Sequence, residues 1–143
     1  MNNSIHLLGD TNYSQREIIN LLSNLCECDI IEDNKWTTFI KNIPDNQKIF
    51  CYTLENKLVG MITVIIEKKI IHGYKSVGHI EDLVVDSKYR NRNIGGELLD
   101  YVYNYCKKEN CYKIILNCIS ELEKFYIKNN YKYKCIQMRR DII

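Results

Sequence analysis

The sequence predicts an α/β fold with a mixed, mostly antiparallel sheet, on three observations. Segments of β-like and helical hydrophobic periodicity alternate along the chain in the order β-α-α-β-β-β-α-β-α-β. Two adjacent apolar segments in the middle meet at Glu55-Asn56-Lys57, a hairpin signal. A strand–helix–strand crossover then closes the C-terminal half.

The elements follow in order. Ser4 to Gly9 reads as a short first strand. Gln15 to Cys28 carries Ile18, Ile19, Leu21, Leu22, Leu25 and Cys26 at helical spacing. Asp33 or Asn34 can cap a second helix whose apolar positions are Trp36, Phe39, Ile40 and Ile43, stopped by Pro44-Asp45-Asn46. Lys48 to Leu54 and Leu58 to Glu67 are the hairpin strands. His72 to Ser76 is a polar loop, and Gly78 to Val85 a β-branched strand. Ile94 to Asn110 is a helix with Ile94, Leu98, Leu99, Val102 and Cys106 on one face, and Asn110 suits a left-handed cap. Tyr112 to Cys118 is a strand, Glu121 to Asn130 a short helix and Tyr131 to Arg139 a last strand.

Composition narrows the class. The chain has 143 residues, the length of one domain able to bury a core. Asn, Ile and Lys supply 16, 22 and 15 residues, Tyr adds 11, and alanine is absent. These abundant residues share AT-rich codons, so the skew reads as coding bias, with Asn scattered rather than clustered in a low-complexity tract. A net charge of +2 gives no electrostatic signature of a nucleic-acid binder. The longest apolar run, Leu58 to Ile66, is about half a membrane span, and Met1-Asn2-Asn3-Ser4 does not begin a signal peptide. Seven cysteines without CxxC spacing read as small buried hydrophobes rather than metal ligands, as in a cytoplasmic, reducing setting. His72 and His79 stand alone and read as structural.

One junction carries chemistry. From Val84-Val85 the chain runs through Asp86-Ser87-Lys88-Tyr89-Arg90-Asn91-Arg92-Asn93 into Ile94-Gly95-Gly96, a strand entering a helix N-terminus. Unpaired N–H groups and the positive end of the helix dipole suit a phosphate there. Gly95 and Gly96 leave the backbone open to a ligand, and Arg90 and Arg92 add charge. Neither the Walker pattern nor the dinucleotide fingerprint is present. A solvated turn whose glycines ease helix packing is the plainer alternative.

The loop resembles the R/Q-x-x-G-x-G/A acetyl-CoA motif of the GNAT superfamily of N-acetyltransferases, with Arg90 and Gly95 matching and Asn93 standing at the middle glycine. Gly78-His79-Ile80-Glu81-Asp82-Leu83-Val84-Val85, Cys111-Tyr112-Lys113-Ile114-Ile115-Leu116-Asn117-Cys118, Phe125-Tyr126 and Ile65-Ile66-Glu67-Lys68-Lys69-Ile70-Ile71-His72 are similar to segments of eukaryotic-type glucosamine 6-phosphate N-acetyltransferases. The similarity covers about residues 58 to 140 well. It implies the GNAT fold over residues 1–143 as a single N-acetyltransferase domain, with about six or seven strands flanked by about four helices.

The resemblance also implies roles. Acetyl-CoA would be co-substrate, with no metal. Leu83, Val84 and Val85 would align its pantetheine, and Arg90, Asn91, Arg92, Asn93, Ile94, Gly95 and Gly96 would hold its pyrophosphate. Tyr126 would protonate or hydrogen-bond the CoA sulfur. Glu81 and Asp82 correspond to an acidic pair on the sugar, and strand alternation sends them to opposite faces. Asn117 stands where the family has Asp or Glu beside the amine; its carbonyl accepts a hydrogen bond but is no base. Lys68, Lys69, Tyr112, Lys113 and Arg140, or its neighbour Arg139, are candidates for the sugar phosphate, the arginine reaching across a homodimer with the C-terminal strand near the partner's site. In the N-terminal third, Cys26 and Asp29 align loosely with a ligand-side Thr and Gly of the family. Partners are thus glucosamine 6-phosphate, acetyl-CoA and a second copy, with no nucleic acid and no membrane. Two alternatives stay open: a GNAT enzyme for another small amine or a protein amine, and a non-catalytic acetyl-CoA-binding module.

Overall fold

The computed structural model describes residues 2–142; Met1 and Ile143 lie outside them. Five strands form one sheet in the order β1-β2-β3-β4-β5. They are β1 (Asn3–Leu7), β2 (Gln47–Leu54), β3 (Lys57–Lys68), β4 (Ser76–Val85) and β5 (Cys111–Ile115). Pairing is antiparallel from β1 to β4, and β5 joins β4 in parallel through the crossover helix. The helices are α1 (Gln15–Leu22), α2 (Asp33–Lys41), α3 (Ile71–Tyr74), α4 (Ile94–Lys108) and α5 (Glu123–Lys128). The hairpin turns on Glu55 and Asn56, both at positive φ (49° and 65°), as a two-residue turn matched to strand twist requires.

Each face of the sheet receives its own helix. On one face α4 sets Leu98, Leu99, Val102 and Cys106 into a core with Ile62, Val64, Ile66 and Ile80. On the other, Ile18 and Leu21 of α1 pack with Cys51, Met61 and Val84. Contact with α4 is close at Gly78, where an added Cβ would stand 2.6 Å from the Cys106 sulfur. Overpacking a filled core costs about 1–3 kcal/mol. Gly78→Ala is therefore expected to lower unfolding stability by about that amount, measured by urea denaturation; an unchanged midpoint would mean that α4 packs more loosely than this contact implies.

Several expected boundaries move, each for a local reason. α1 ends at Leu22 instead of reaching Cys28. Ser23 Oγ and Asn24 Nδ2 donate to the Asn20 and Leu21 carbonyls (2.7 and 3.0 Å), which competes with continuation of the helix. The expected polar loop at His72–Ser76 holds instead a helical turn with His72, Gly73 and Tyr74 at positive φ, and β4 starts at Ser76. β5 stops at Ile115 rather than Cys118.

The largest correction is at the end of the chain. Tyr131–Arg139 was expected as a strand, which would have made six; it has no regular secondary structure. Tyr133, Ile136 and Met138 are 71%, 78% and 88% exposed. A strand persists through its ladder, and among the described residues this segment has no neighbour to pair with, while β5 is left as a sheet edge.

Candidate active site

The sheet opens where β4 and β5 part. Their ladder runs only from Ser76↔Cys111 to His79↔Ile115. Beyond it, Ile80–Val85 stays paired to β3 on one side and has no ladder partner on the other. This free edge runs toward the N-terminus of α4.

A β-bulge lies on that stretch. Met61 pairs with Val84 and Thr63 with Glu81, so Asp82 and Leu83 together oppose the single residue Ile62. Asp82 takes a left-handed conformation, φ 50°. The alternation expected to send Glu81 and Asp82 to opposite faces is broken there, and both are exposed. Leu83 and Val85 are half-buried, and Val84 is buried against α1.

The phosphate-type loop is built from turns. Asp86 Oδ1 accepts the Lys88 N–H (2.9 Å) and caps a short turn over Ser87–Tyr89. Asn91 and Asn93 are both left-handed, φ 63° and 61°. Asn at the family's middle glycine therefore keeps the conformation that glycine would supply. Asn93 is the N-cap of α4 but its side chain makes no capping bond, and the first helical bond is Glu97 N–H to the Asn93 carbonyl. The amides of Ile94, Gly95 and Gly96 precede that bond and have no acceptor within the helix, although the three residues are themselves buried. Arg92 lies over the Tyr89 ring (5.2 Å), and Arg90 Nε donates to the Val85 carbonyl (3.4 Å).

The two glycines also have the packing role that the plainer alternative gave them, and the structure identifies their neighbours. A Cβ on Gly95 would stand 2.9 Å from the Phe125 ring. One on Gly96 would stand 2.5 Å from Asn93 Oδ1 and 2.9 Å from Asn129 Oδ1. The glycines thus let α5 sit against the first turn of α4. Asn129, which sequence reasoning missed, donates to the Phe125 carbonyl (2.8 Å) as it ends α5; the only local signal was an Asn after the Phe125-Tyr126 pair.

That contact fixes Tyr126. Its ring is 9% exposed, edge-on to Phe125 and Tyr131 at 5.0 and 5.9 Å. Among the described residues no buried side-chain polar atom lacks a partner, and the Tyr126 hydroxyl has no side-chain hydrogen bond, so the hydroxyl reaches solvent. Burial, and then the nearby Cys118, pushes the phenol above its ordinary pKa of 10. Tyr126 is fully protonated at neutral pH. Asn117 is exposed, just beyond the end of β5.

The proposed phosphate ligands are elsewhere. Lys68 pairs with Ser76 in the β3–β4 ladder and Glu81 with Thr63, five residues apart, or roughly 17 Å along the strands. Lys69 forms an ion pair with Glu67, whose other oxygen lies 2.7 Å from His79 Nε2. Lys69 and then His79 hold the Glu67 carboxyl below its ordinary range. His79, expected to be isolated, is therefore partnered. Tyr112 stacks with His72 (4.3 Å), and Lys113 lies over the Tyr112 ring (5.3 Å). Arg139 pairs with Asp141 (2.6 Å) and Arg140 is exposed. A single chain therefore brings together the β4 edge, the α4 amides and Tyr126, but not the cations. Lys68 alone of them shares a depression with Glu81, about 760 Å³, whose lining also includes Asp45, Glu67, His79 and Glu109.

A free strand edge leading to a glycine-rich helix start, with a tyrosine on the following short helix, defines an acetyltransferase architecture. A family model for the GNAT acetyltransferases matches residues 16–128, and the chain belongs to that family. Glucosamine 6-phosphate N-acetyltransferase of Arabidopsis thaliana is 31% identical over 131 residues, 88% of this chain and 88% of that one. The enzyme of the same name from Trypanosoma brucei brucei is 35% identical over 95 residues, 66% of this chain and 65% of its own. The crystal structure of the Arabidopsis enzyme superposes with a TM-score of 0.89 at 30% identity, covering 100% of both chains. The expected GNAT fold is thus present, with five strands and five helices. No helix among the described residues is long and apolar enough to cross a membrane.

Proposed function

We propose that this protein transfers the acetyl group of acetyl-CoA to the amino group of glucosamine 6-phosphate. The observation that carries the acetyl-CoA half is the free edge of Ile80–Val85 running into the uncapped first turn of α4. An extended pantetheine can pair along the edge while the Ile94, Gly95 and Gly96 amides receive the pyrophosphate. The same edge offers amides of Leu83 or Val85 to the acetyl carbonyl, where negative charge develops during attack. The relatives of that name support the choice of acceptor.

The chemistry is direct. A neutral amine attacks the thioester carbon, the tetrahedral oxyanion collapses, and the C–S bond breaks. One proton passes from nitrogen to solvent water as the intermediate collapses, and one is needed by the thiolate. Tyr126 supplies the second from its solvent-facing hydroxyl and is reprotonated from solvent. Glu81 and Asp82 bind sugar hydroxyls, and Asn117 accepts a hydrogen bond from the amine. An amine beside sugar hydroxyls has a lowered pKa, so a neutral amine binds without a carboxylate base. On that account Asn117→Asp is expected to keep or raise kcat; a large loss would mean that asparagine is matched to a different amine.

The phosphate is held by a second copy. The C-terminal segment has no ladder partner among the described residues and exposes the large apolar side chains of Tyr133, Ile136, Met138 and Ile142, so it is suited to pairing with another subunit and carrying Arg139 or Arg140 to that subunit's acceptor site. Lys68, Lys69, Tyr112 and Lys113 remain the in-chain phosphate candidates on the cation side. Thiols left free at all seven cysteines fit a reducing, cytoplasmic setting.

Release of the CoA thiol, followed colorimetrically with glucosamine 6-phosphate, glucosamine, glucosamine 1-phosphate and a peptide, tests the proposal. The 6-phosphate is expected to have the highest kcat/KM. Equal rates for glucosamine and its 6-phosphate would remove the phosphate site.

A further inference from the structure

The segment between α1 and α2 holds two thiols that the proposed reaction does not use. Cys26 is exposed and Cys28 half-buried, and their sulfurs lie 3.8 Å apart. The Cys28 thiol donates to the Cys26 carbonyl (3.6 Å), which aims it along the loop toward its neighbour. The other close pair differs. Cys106 meets Cys111, but it is 1% exposed, and burial pushes its thiol up to about 12. Cys51 is buried alone and is raised in the same way. Oxidants in solution reach Cys26–Cys28 and not the core thiols.

The pair lies beside the acceptor side of the cleft. Asn24 Oδ1 accepts the Ser87 N–H (3.2 Å), tying the loop to the end of β4. The Cys28 sulfur is close enough to Asp29 and Asp82 to sense their charge. Asp82 is the left-handed residue of the bulge. A change of shape between Cys26 and Cys28 is therefore passed through Asn24 to Ser87, where β4 leaves the bulge and enters the loop before α4.

We propose that Cys26 and Cys28 form a reversible intramolecular disulfide that reshapes the Leu25–Asp29 loop and slows acetyl transfer. The effect on transfer rests on the acceptor site argued above; formation of the bond does not. The oxidant is a low-molecular-weight disulfide of the glutathione class. The Cys26 thiolate attacks it, releases one small thiol and leaves a mixed disulfide. The Cys28 thiolate then attacks the Cys26 sulfur and expels the second small thiol. Two protein thiols are oxidised, one disulfide is reduced to two thiols, and the two cysteine protons end on those thiols. Cys26 is exposed and Cys28 half-buried, so Cys26 meets the oxidant first. The sulfurs must close from 3.8 Å to about 2.0 Å. A one-residue ring is tight, and strained, exposed disulfides are the easily reduced, regulatory kind.

The full chain is the test material. Reduced protein is equilibrated in graded mixtures of reduced and oxidised glutathione, trapped with an alkylating agent and digested with trypsin. Both cysteines fall in the peptide Glu17 to Lys35. That peptide is expected to lose about 2 Da and resist alkylation, with transferase activity down about 10-fold and restored by dithiothreitol. Cys26→Ser and Cys28→Ser, whatever their own rates, are expected not to respond to the oxidant. A peptide that stays alkylated, or carries only a glutathione adduct, overturns the proposal. So does a disulfide that forms without changing the rate. A reduced enzyme inactive toward glucosamine 6-phosphate would sink the acceptor assignment alone, leaving the mass measurement to decide the disulfide.

Discussion

Tyr126→Phe is expected to lower kcat about 100-fold, the low end of what a positioned general acid supplies. The KM for acetyl-CoA should barely move, because phenylalanine keeps the ring that packs on Phe125 and Tyr131. Stability should hold within about 0.5 kcal/mol, since the lost hydroxyl reaches solvent and has no internal partner among the described residues. The pH profile separates a chemical from a packing role. Burial raises the phenol, so the proton-donating form persists through neutrality and is lost only above the ordinary phenol range. Wild type should lose kcat on that alkaline limb, and the Phe variant should lack the limb. A variant within twofold of wild type would mean that the thiolate takes its proton from water and that Tyr126 is core packing.

Removing residues 133–143 is expected to leave a monomer in place of the proposed dimer and to lower glucosamine 6-phosphate acetylation about 100-fold. The cut must spare Tyr131, because its N–H donates to the Tyr126 carbonyl (3.0 Å) and its ring packs on Tyr126. Beyond it, Tyr133, Ile136 and Met138 stand largely in solvent. Burying side chains of this kind contributes about 1.5–3 kcal/mol each toward holding a second copy. Acetyl-CoA binding should survive, since the β4 edge, the α4 amides and Tyr126 come from one chain. Light scattering reports the mass and thermal stabilisation by acetyl-CoA reports the retained half-site. A full-length chain that scatters as a monomer would contradict the shared arginine.

The sequence made the scaffold legible wherever the pattern is local. The α4 stripe Ile94-Leu98-Leu99-Val102-Cys106, the Glu55-Asn56 turn and the crossover to β5 all appear close to where periodicity and turn chemistry put them. Asn93 also takes the left-handed shape that asparagine tolerates better than other side chains. What stayed hidden depends on neighbours. Nothing in a β-branched run announces that Asp82 will turn left-handed, yet that bulge sets where both carboxylates point. Gly95 and Gly96 looked like openings for a ligand, and their missing Cβ atoms also make room for Phe125, Asn93 and Asn129. Lys69 looked like a free cation, but a carboxylate two residues back and a histidine on the next strand enclose it in an ion-pair cluster. The expected last strand is absent because its alternating apolar residues match a strand's period without specifying the edge that receives it.

Direct observation of the transferred acetyl group tests the central claim. With acetyl-CoA labelled by ¹³C at the carbonyl and ¹⁵N-labelled glucosamine 6-phosphate as acceptor, NMR should show the thioester carbon replaced by an amide carbon coupled to the sugar nitrogen, one for each CoA thiol released. A label that stays on CoA, or appears only on protein lysines, would contradict the account.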